Sequence, residues 1–288
     1  GMHHRHERNA LIQHGTMTLV RFEPLMAHGK WSEWCICEDT ELGLRLLENG
    51  YELRYIDDTF GRGLTPSDFK ALKSQRFRWA FGAMQILKHH FKHLIGDSTL
   101  TFGQRYHFLT GWFGWLGDAL QLIFTIGSIA WTIAMLAFPT SFSLPVTIMI
   151  TPILCFLAIK AALGPVLYRK TMKHCSWEDI FGASLASLGL SHAIAKGVIT
   201  GLMKKDGVFK VTAKGKAKLN KLEILNPIIE EFVLLVALVI CSLAMLITRG
   251  FTNIDAQLWV AMLSLQALPY ASSFACQIIS QRPDQPVK

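Results

Sequence analysis

From about Trp112 onward the chain carries apolar stretches of the length that a bilayer demands. Candidate spans lie at roughly 112–138, 146–168, 226–248 and 255–279, each close to the ~20 residues needed to cross the hydrocarbon core. A fifth apolar stretch, 178–202, carries His192, Lys196 and many small residues. The connection after the first span, "PTSFSLP", is uncharged, whereas "YRKTMKHC" after the second and "KKDGVFKVTAKGKAKLNK" at 204–221 are basic. Cytoplasmic connections are enriched in Lys and Arg, so both flanks of 178–202 read as cytoplasmic. That stretch is expected to lie at the interface or to re-enter without crossing, with His192 and Lys196 among the lipid headgroups. Four crossings then put the C terminus in the cytoplasm, in an inner or plasma membrane.

Charge agrees with this division. The formal net charge is +8, a balance that can serve nucleic acid, an anionic membrane face or a phosphorylated substrate. Here the basic residues flank apolar segments, so the membrane reading leads and a nucleic-acid partner is not expected. Cys35, Cys37, Cys155, Cys175, Cys241 and Cys276 are scattered, with no spacing that suggests a disulfide or zinc framework. His3, His4, His6 and His14 crowd a polar opening that reads as a solvated arm.

The first 100 residues read as soluble α/β material, and 101–288 as membrane and interface. "GTMTLVRF" alternates as a strand, and "EPLMAHGKW" follows as a short helix. "CEDTELGLRLLENGYELRYID" reads as helix, turn and strand. Asp39 or Thr40 is the expected N-cap, Leu42, Leu46 and Leu47 the apolar face, and Gly50 the residue that ends the helix. "TPSDF" starts a longer helix, with Thr65 as N-cap and Pro66 in the first turn. On that helix Gln75, Arg78 and Trp79 stand at i, i+3 and i+4 and share one face.

Three stretches hold groups that can do chemistry. Glu38 and Asp39, at the head of a helix, suit either a favourable dipole interaction or a general base at a pocket edge. Gln75 and Arg78 can grip a phosphate, and Trp79 offers an apolar platform of the kind that sugar rings stack on; an amphipathic helix on the headgroups is the plainer reading. "FKVTAKG", Phe209 to Gly215, stands alone as a basic loop beside an anionic leaflet.

Taken together, "ED", then "QRFRW", then spans, then "FKVTAKG" resembles the membrane-embedded family-2 glycosyltransferases of the cellulose synthase type, in that family's motif order. The resemblance runs from about Asn9 to Arg282. It implies a GT-A-like α/β domain, of which residues 1–100 are the C-terminal part, followed by a transmembrane helical bundle with interfacial helices. It implies Asp39 as the base that deprotonates the acceptor hydroxyl, with Glu38 beside it. Gln75 and Arg78 correspond to residues near the donor pyrophosphate, and Trp79 to the residue against which the terminal acceptor sugar rests. His14, Gly15 and Thr16 stand where the family places a loop near the acceptor. Phe209, Val211 and Thr212, with Lys214, correspond to a gating loop, about 204–222, that enters the site over the nucleotide. The implied partners are a UDP-sugar, a glycan acceptor and the bilayer, and the implied cofactor is Mg²⁺ or Mn²⁺.

This sequence departs from the family pattern at several positions. Cys37 stands where the family has Thr, and His14 where it has Cys. No D-x-D precedes Glu38, so the metal and uridine ligands are expected to lie outside this chain, which then reads as a catalytically incomplete C-terminal portion. In the first span, Trp112, Trp115 and Asp118 fit either a polymer channel or interfacial anchors. A non-processive glycolipid synthase and a non-catalytic membrane scaffold or channel subunit are the competing readings.

Overall fold

The computed structural model describes residues 2–15, 17–58, 60, 61, 63, 66, 68–96, 99–144, 147–171, 175–204, 225–250 and 252–281. Their regular structure is helical: α1 Met2–Glu7, α2 Phe22–Ala27, α3 Glu38–Glu48, α4 Phe69–His89, α5 Phe91–Ile95, α6 Phe102–Ala137, α7 Thr147–Thr171, α8 Trp177–Gly189, α9 Ser191–Met203, α10 Ile229–Arg249 and α11 Ile254–Ser280, with a 3₁₀ turn at Asn226–Ile228 before α10. Thr16, Thr65 and the whole gating stretch 205–224 lie outside the described residues.

Among the described residues there is no strand, neither in those of "GTMTLVRF" nor in "YELRYI". A strand needs a neighbour for its backbone groups. In 51–57 side chains take that place. The Leu53 N–H donates to Asn9 Oδ1 at 2.9 Å and the Tyr55 N–H to His6 Nδ1 at 3.1 Å, so alternate amides on one edge are satisfied without a sheet.

Helix α3 starts at Glu38, and its cap lies two residues before Asp39 and three before Thr40. Cys37 is the N-cap and makes no side-chain capping bond. Asp39 and Thr40 cannot cap because their side chains are engaged elsewhere. Asp39 Oδ1 accepts from the Trp31 indole at 3.0 Å, and Thr40 Oγ1 donates to Gln13 O at 2.9 Å. The first turn still holds Glu38, Asp39 and Glu41, where carboxylates favour the helix dipole. At the other end Gly50 has φ +81°, and the Tyr51 N–H returns to Leu46 O at 3.0 Å, which closes the helix as expected of a glycine there.

The chain divides into two compact units. The first comprises α1–α5, the first half of α6 and most of α9. Its apolar core joins Ile12, Leu44, Leu47, Ala80, Ala83, Met84, Ile86, Leu94, Phe108, Trp112 and Val198. Within it α9 lies directly on α4. A Cβ on Gly197 would stand 2.5 Å from Phe77 O, and one on Gly201 would stand 2.8 Å from Phe81 O. Two glycines four residues apart let helix backbones touch in this way. Lys88 Nζ then donates to Leu202 O and Lys204 O, at 3.3 and 2.7 Å, and covers the open C-terminal carbonyls of α9.

The second unit is a helix bundle from the second half of α6 with α7, α8, α10 and α11. Met135, Leu238, Met245, Trp259, Met262, Leu263 and Tyr270 form its core. Two buried polar pairs join helices there: Trp259 Nε1 donates to Thr132 Oγ1 at 2.9 Å and Gln266 Nε2 to Ser128 Oγ at 3.2 Å. Asn253 caps α11 through the Ala256 N–H, and Ser176 with Asp179 forms a capping box on α8. Val233, Ile240 and Ile247, seven residues apart on α10, are exposed; such an apolar stripe suits lipid.

Among the described residues four helical stretches are long and apolar enough to cross a membrane: Phe102–Ala137, Trp177–Met203, Asn226–Arg249 and Ile254–Ser280. The described residues of the expected second span, from Thr147 on, are helical as α7, with Pro152 and Pro165 inside it. Trp177–Met203 is broken at Leu190 into α8 and α9. His192 does not reach for headgroups: its side chain is 7% exposed and Nε2 bonds Glu230 at 2.8 Å. Lys196 is half-buried.

Candidate functional site

Three separate stretches of sequence converge in the first unit. Cys37 Sγ packs on the backbone of α4, 3.7 Å from Arg78 O. The approach depends on Gly82, where a Cβ would meet Cys37 Sγ at 2.4 Å and Cys37 Cβ at 2.8 Å. The residue that opens α3 is thereby seated on the helix turn that carries Arg78 and Trp79, and "CED" and "QRFRW" become neighbours. The loop ahead of it is held by Gln85, whose Oε1 accepts from the Ile36 N–H at 3.2 Å and whose Nε2 donates to Trp34 O at 3.1 Å. One buried amide thus clasps the main chain of that loop as a neighbouring strand would.

The third stretch is "QHG". Gly43 on α3 touches Gln13, since a Cβ there would lie 2.7 Å from Gln13 Cβ. Gly15 comes against Asp39, its missing Cβ falling 2.1 Å from Asp39 Oδ2. One oxygen of Asp39 is therefore fixed by Trp31 and the other lies over a bare α-carbon. His14 is exposed, and partial desolvation followed by the Arg5 charge holds its imidazole below the ordinary value. Neutral His14 is the form this surface favours.

On α4 Gln75 and Arg78 are half-buried and Trp79 is exposed. The Arg76 guanidinium lies 4.3 Å from the Trp79 ring centre, a cation–π contact that fixes the ring. Burial, reinforced by Cys35 and Glu38 and opposed by Arg78, pushes the Cys37 thiol up to about 12. Burial likewise pushes Cys35 to about 12. Both are thiols, not thiolates, and serve as packing groups.

Of the three α6 residues weighed for a channel, Trp112 sits in the apolar core, edge-on to Phe108 at 5.7 Å. Trp115 packs partly against the same core, and Asp118 is buried. Phe209, Val211, Thr212 and Lys214 fall outside the described residues.

The sequence reading missed Trp31 and Gln85. Trp31 is eight residues before Asp39 in an irregular loop, with no periodicity to mark it. Gln85 looked like one polar residue on a long helix.

The profile of glycosyl transferase family group 2 matches residues 5–159, more than half of the chain, and the chain belongs to that family. It is 29% identical over 99 residues to glucomannan 4-beta-mannosyltransferase 7 of Arabidopsis thaliana, a match covering 34% of this chain and 18% of that protein. It is 27% identical over 99 residues to glucomannan 4-beta-mannosyltransferase 1 of Cyamopsis tetragonoloba, covering 34% and 19%. With the UDP-forming cellulose synthase catalytic subunit of Pseudomonas fluorescens (strain SBW25) the identity is 26% over 208 residues, 72% of this chain and 27% of that protein. The chain is thus similar to cellulose-synthase-like members of the family, and it spans less than a third of each of these relatives.

Proposed function

We propose that this chain forms the acceptor-side and membrane part of an inverting glycosyltransferase. The reaction moves a sugar from a UDP-sugar onto a growing β-glycan, which then passes across the membrane. The observation that carries this reading is the setting of Asp39, with Oδ1 held by Trp31, Oδ2 over Gly15, and α3 seated on the "QRFRW" helix.

In this mechanism Asp39 takes the proton of the acceptor hydroxyl through Oδ2. The freed oxygen attacks the anomeric carbon on the face opposite the departing UDP, which inverts that centre. Trp31 keeps the carboxylate from rotating, and Gly15 leaves room for the hydroxyl to approach. Arg78 and Gln75 face the pyrophosphate, where the leaving charge develops. Trp79, held by Arg76, stacks the terminal sugar of the acceptor. Glu38 supports Asp39 at the helix head. His14 and Thr16 contact the acceptor, and Phe209, Val211, Thr212 and Lys214 close over the nucleotide. Trp115 and Asp118 are assigned to the glycan path.

A divalent ion, Mg²⁺ or Mn²⁺, is the usual companion of this family and would neutralise the diphosphate when bound. The described residues do not fit it. Such an ion takes oxygen ligands, whereas the grouping of three possible ligands among the described residues, Glu48, His90 and His93, brings two imidazoles. No step here runs through that ion.

The first unit belongs, on this reading, to a GT-A-like domain, with a cytoplasmic catalytic side and C terminus. The broken helix pair α8–α9 stays at the interface, supported by the contact of α9 with α4. The relatives named as 4-beta-mannosyltransferases support a β-linked product, and "FKVTAKG" favours the processive product over a glycolipid.

The test is Asp39→Asn at the natural locus. Incorporation of labelled sugar from UDP-sugars into polymer is then measured in the host's membranes. Loss of incorporation with unchanged protein level is expected. Undiminished polymer would refute the assignment of the base, and labelled lipid in place of polymer would support the glycolipid reading.

A further inference from the structure

The far ends of α3 and α4 are joined by a group of side chains that the transfer reaction does not use. Glu48 is the last residue of α3, His90 follows α4, and His93 lies in α5. His90 and His93 are three residues apart at the start of a helix, so their rings share a side. Both point Nδ1 at one carboxylate oxygen: Glu48 Oε1 lies 2.9 Å from His90 and 3.1 Å from His93. The ligand atoms of these three residues all fall within 4.8 Å of one another.

A second carboxylate orients the inner ring. His90 Nε2 faces Glu41 Oε1 at 3.3 Å. Glu41 is 2% exposed and is itself held through Oε2 by Ser32 Oγ at 2.7 Å and Arg45 Nη2 at 2.9 Å. Histidines that bind metal characteristically give their other N–H to a fixed carboxylate, which sets the tautomer and strengthens the ligand nitrogen. Glu41 does this here, leaving His90 Nδ1 aimed at Glu48.

We propose that Glu48, His90 and His93 bind one Zn²⁺ ion that ties the end of α3 to the junction of α4 and α5. Two imidazoles with one carboxylate suit a borderline ion such as Zn²⁺ better than Mg²⁺ or Ca²⁺. Bonds of about 2.0–2.2 Å require the two distances from Glu48 Oε1 to the imidazole nitrogens to open by a few tenths of an ångström. His93 is 57% exposed, so its side of the site gives the ion a route in and leaves room for a water as fourth ligand. The ion would stiffen α3, which carries Asp39 at its other end, against α4, which carries Arg78 near its middle, and it is independent of the proposed transfer reaction.

Zn²⁺ bound per chain is measured on the detergent-solubilised protein after equilibrium dialysis, with Co²⁺ absorption as a second readout. His3→Ala/His4→Ala serves as the background that removes adventitious binding by the N-terminal arm. One equivalent is expected in that background, and His93→Ala and Glu48→Gln should each abolish it. Glu41→Gln should weaken it about 10–100-fold while keeping the stoichiometry. His93 is exposed, so its replacement leaves the fold intact, verified by an unchanged circular dichroism spectrum. An equivalent that survives His93→Ala, or one that disappears with His3 and His4, overturns the proposal. So does absence of stoichiometric binding, which would leave the cluster an ion-paired one only.

Discussion

Gly82→Ala sets helix propensity against packing, and the structure decides which wins. In an exposed helix the change would stabilise by about 1 kcal/mol. At position 82 the new Cβ would lie 2.4 Å from Cys37 Sγ and 2.8 Å from Cys37 Cβ. Ordinary contact between carbon atoms is about 3.5–4.0 Å, so α3 and α4 must part by roughly 1 Å. Rotating the thiol away relieves only the first clash. The cost therefore belongs near the top of the overpacking range of about 1–3 kcal/mol, and the net effect is a loss of about 2 kcal/mol. For a chain of this size that corresponds to roughly 4–8 °C in Tm, readable by intrinsic fluorescence during heating in detergent. Cys37→Gly removes both clashing atoms. In that background Gly82→Ala should be neutral or stabilising, a coupling of about 2 kcal/mol. A Tm that is unchanged or raised by Gly82→Ala alone would refute the seating of Cys37 on α4.

Gly197→Ala drives its methyl against the Phe77 carbonyl at 2.5 Å, a backbone atom that cannot turn aside. It should destabilise by about 2–3 kcal/mol and speed hydrogen exchange in α4 around Phe77. Gly15→Ala displaces the Asp39 carboxylate from its indole bond, and a misplacement near 1 Å should lower the transfer rate about 10²-fold without lowering Tm. Cys35 and Cys37, with thiols pushed to about 12, stay protonated at mildly alkaline pH. Native protein treated with N-ethylmaleimide should carry no label at either, and both should label after unfolding.

What the sequence revealed follows from the range of the forces involved. A span needs ~20 apolar residues in a row, and α6, α10 and α11 came through on that signal alone. Gly50 was legible because a helix end is a local event. The caps of α3 were misread because Asp39 and Thr40 satisfy partners eight and 27 residues away, and a distant competitor leaves no local mark. The strand readings failed for the same reason in reverse: alternation in "YELRYI" signals an extended chain, and its neighbour turned out to be Asn9 and His6. Of the candidate site, the motif residues were singled out through resemblance. Their contact through Gly82 and Gly15 was not, because a glycine's role is written in the atom it lacks.

The glycine pair of α9 has a mechanical consequence. Gly197 and Gly201 are notches, and the Phe77 and Phe81 carbonyls on α4 are the teeth that enter them. Any slide of α9 along α4 by less than a full turn would carry the two bare α-carbons off the teeth and force the helices apart. Movement between the two is therefore indexed to steps of about 5.4 Å, as in a detent.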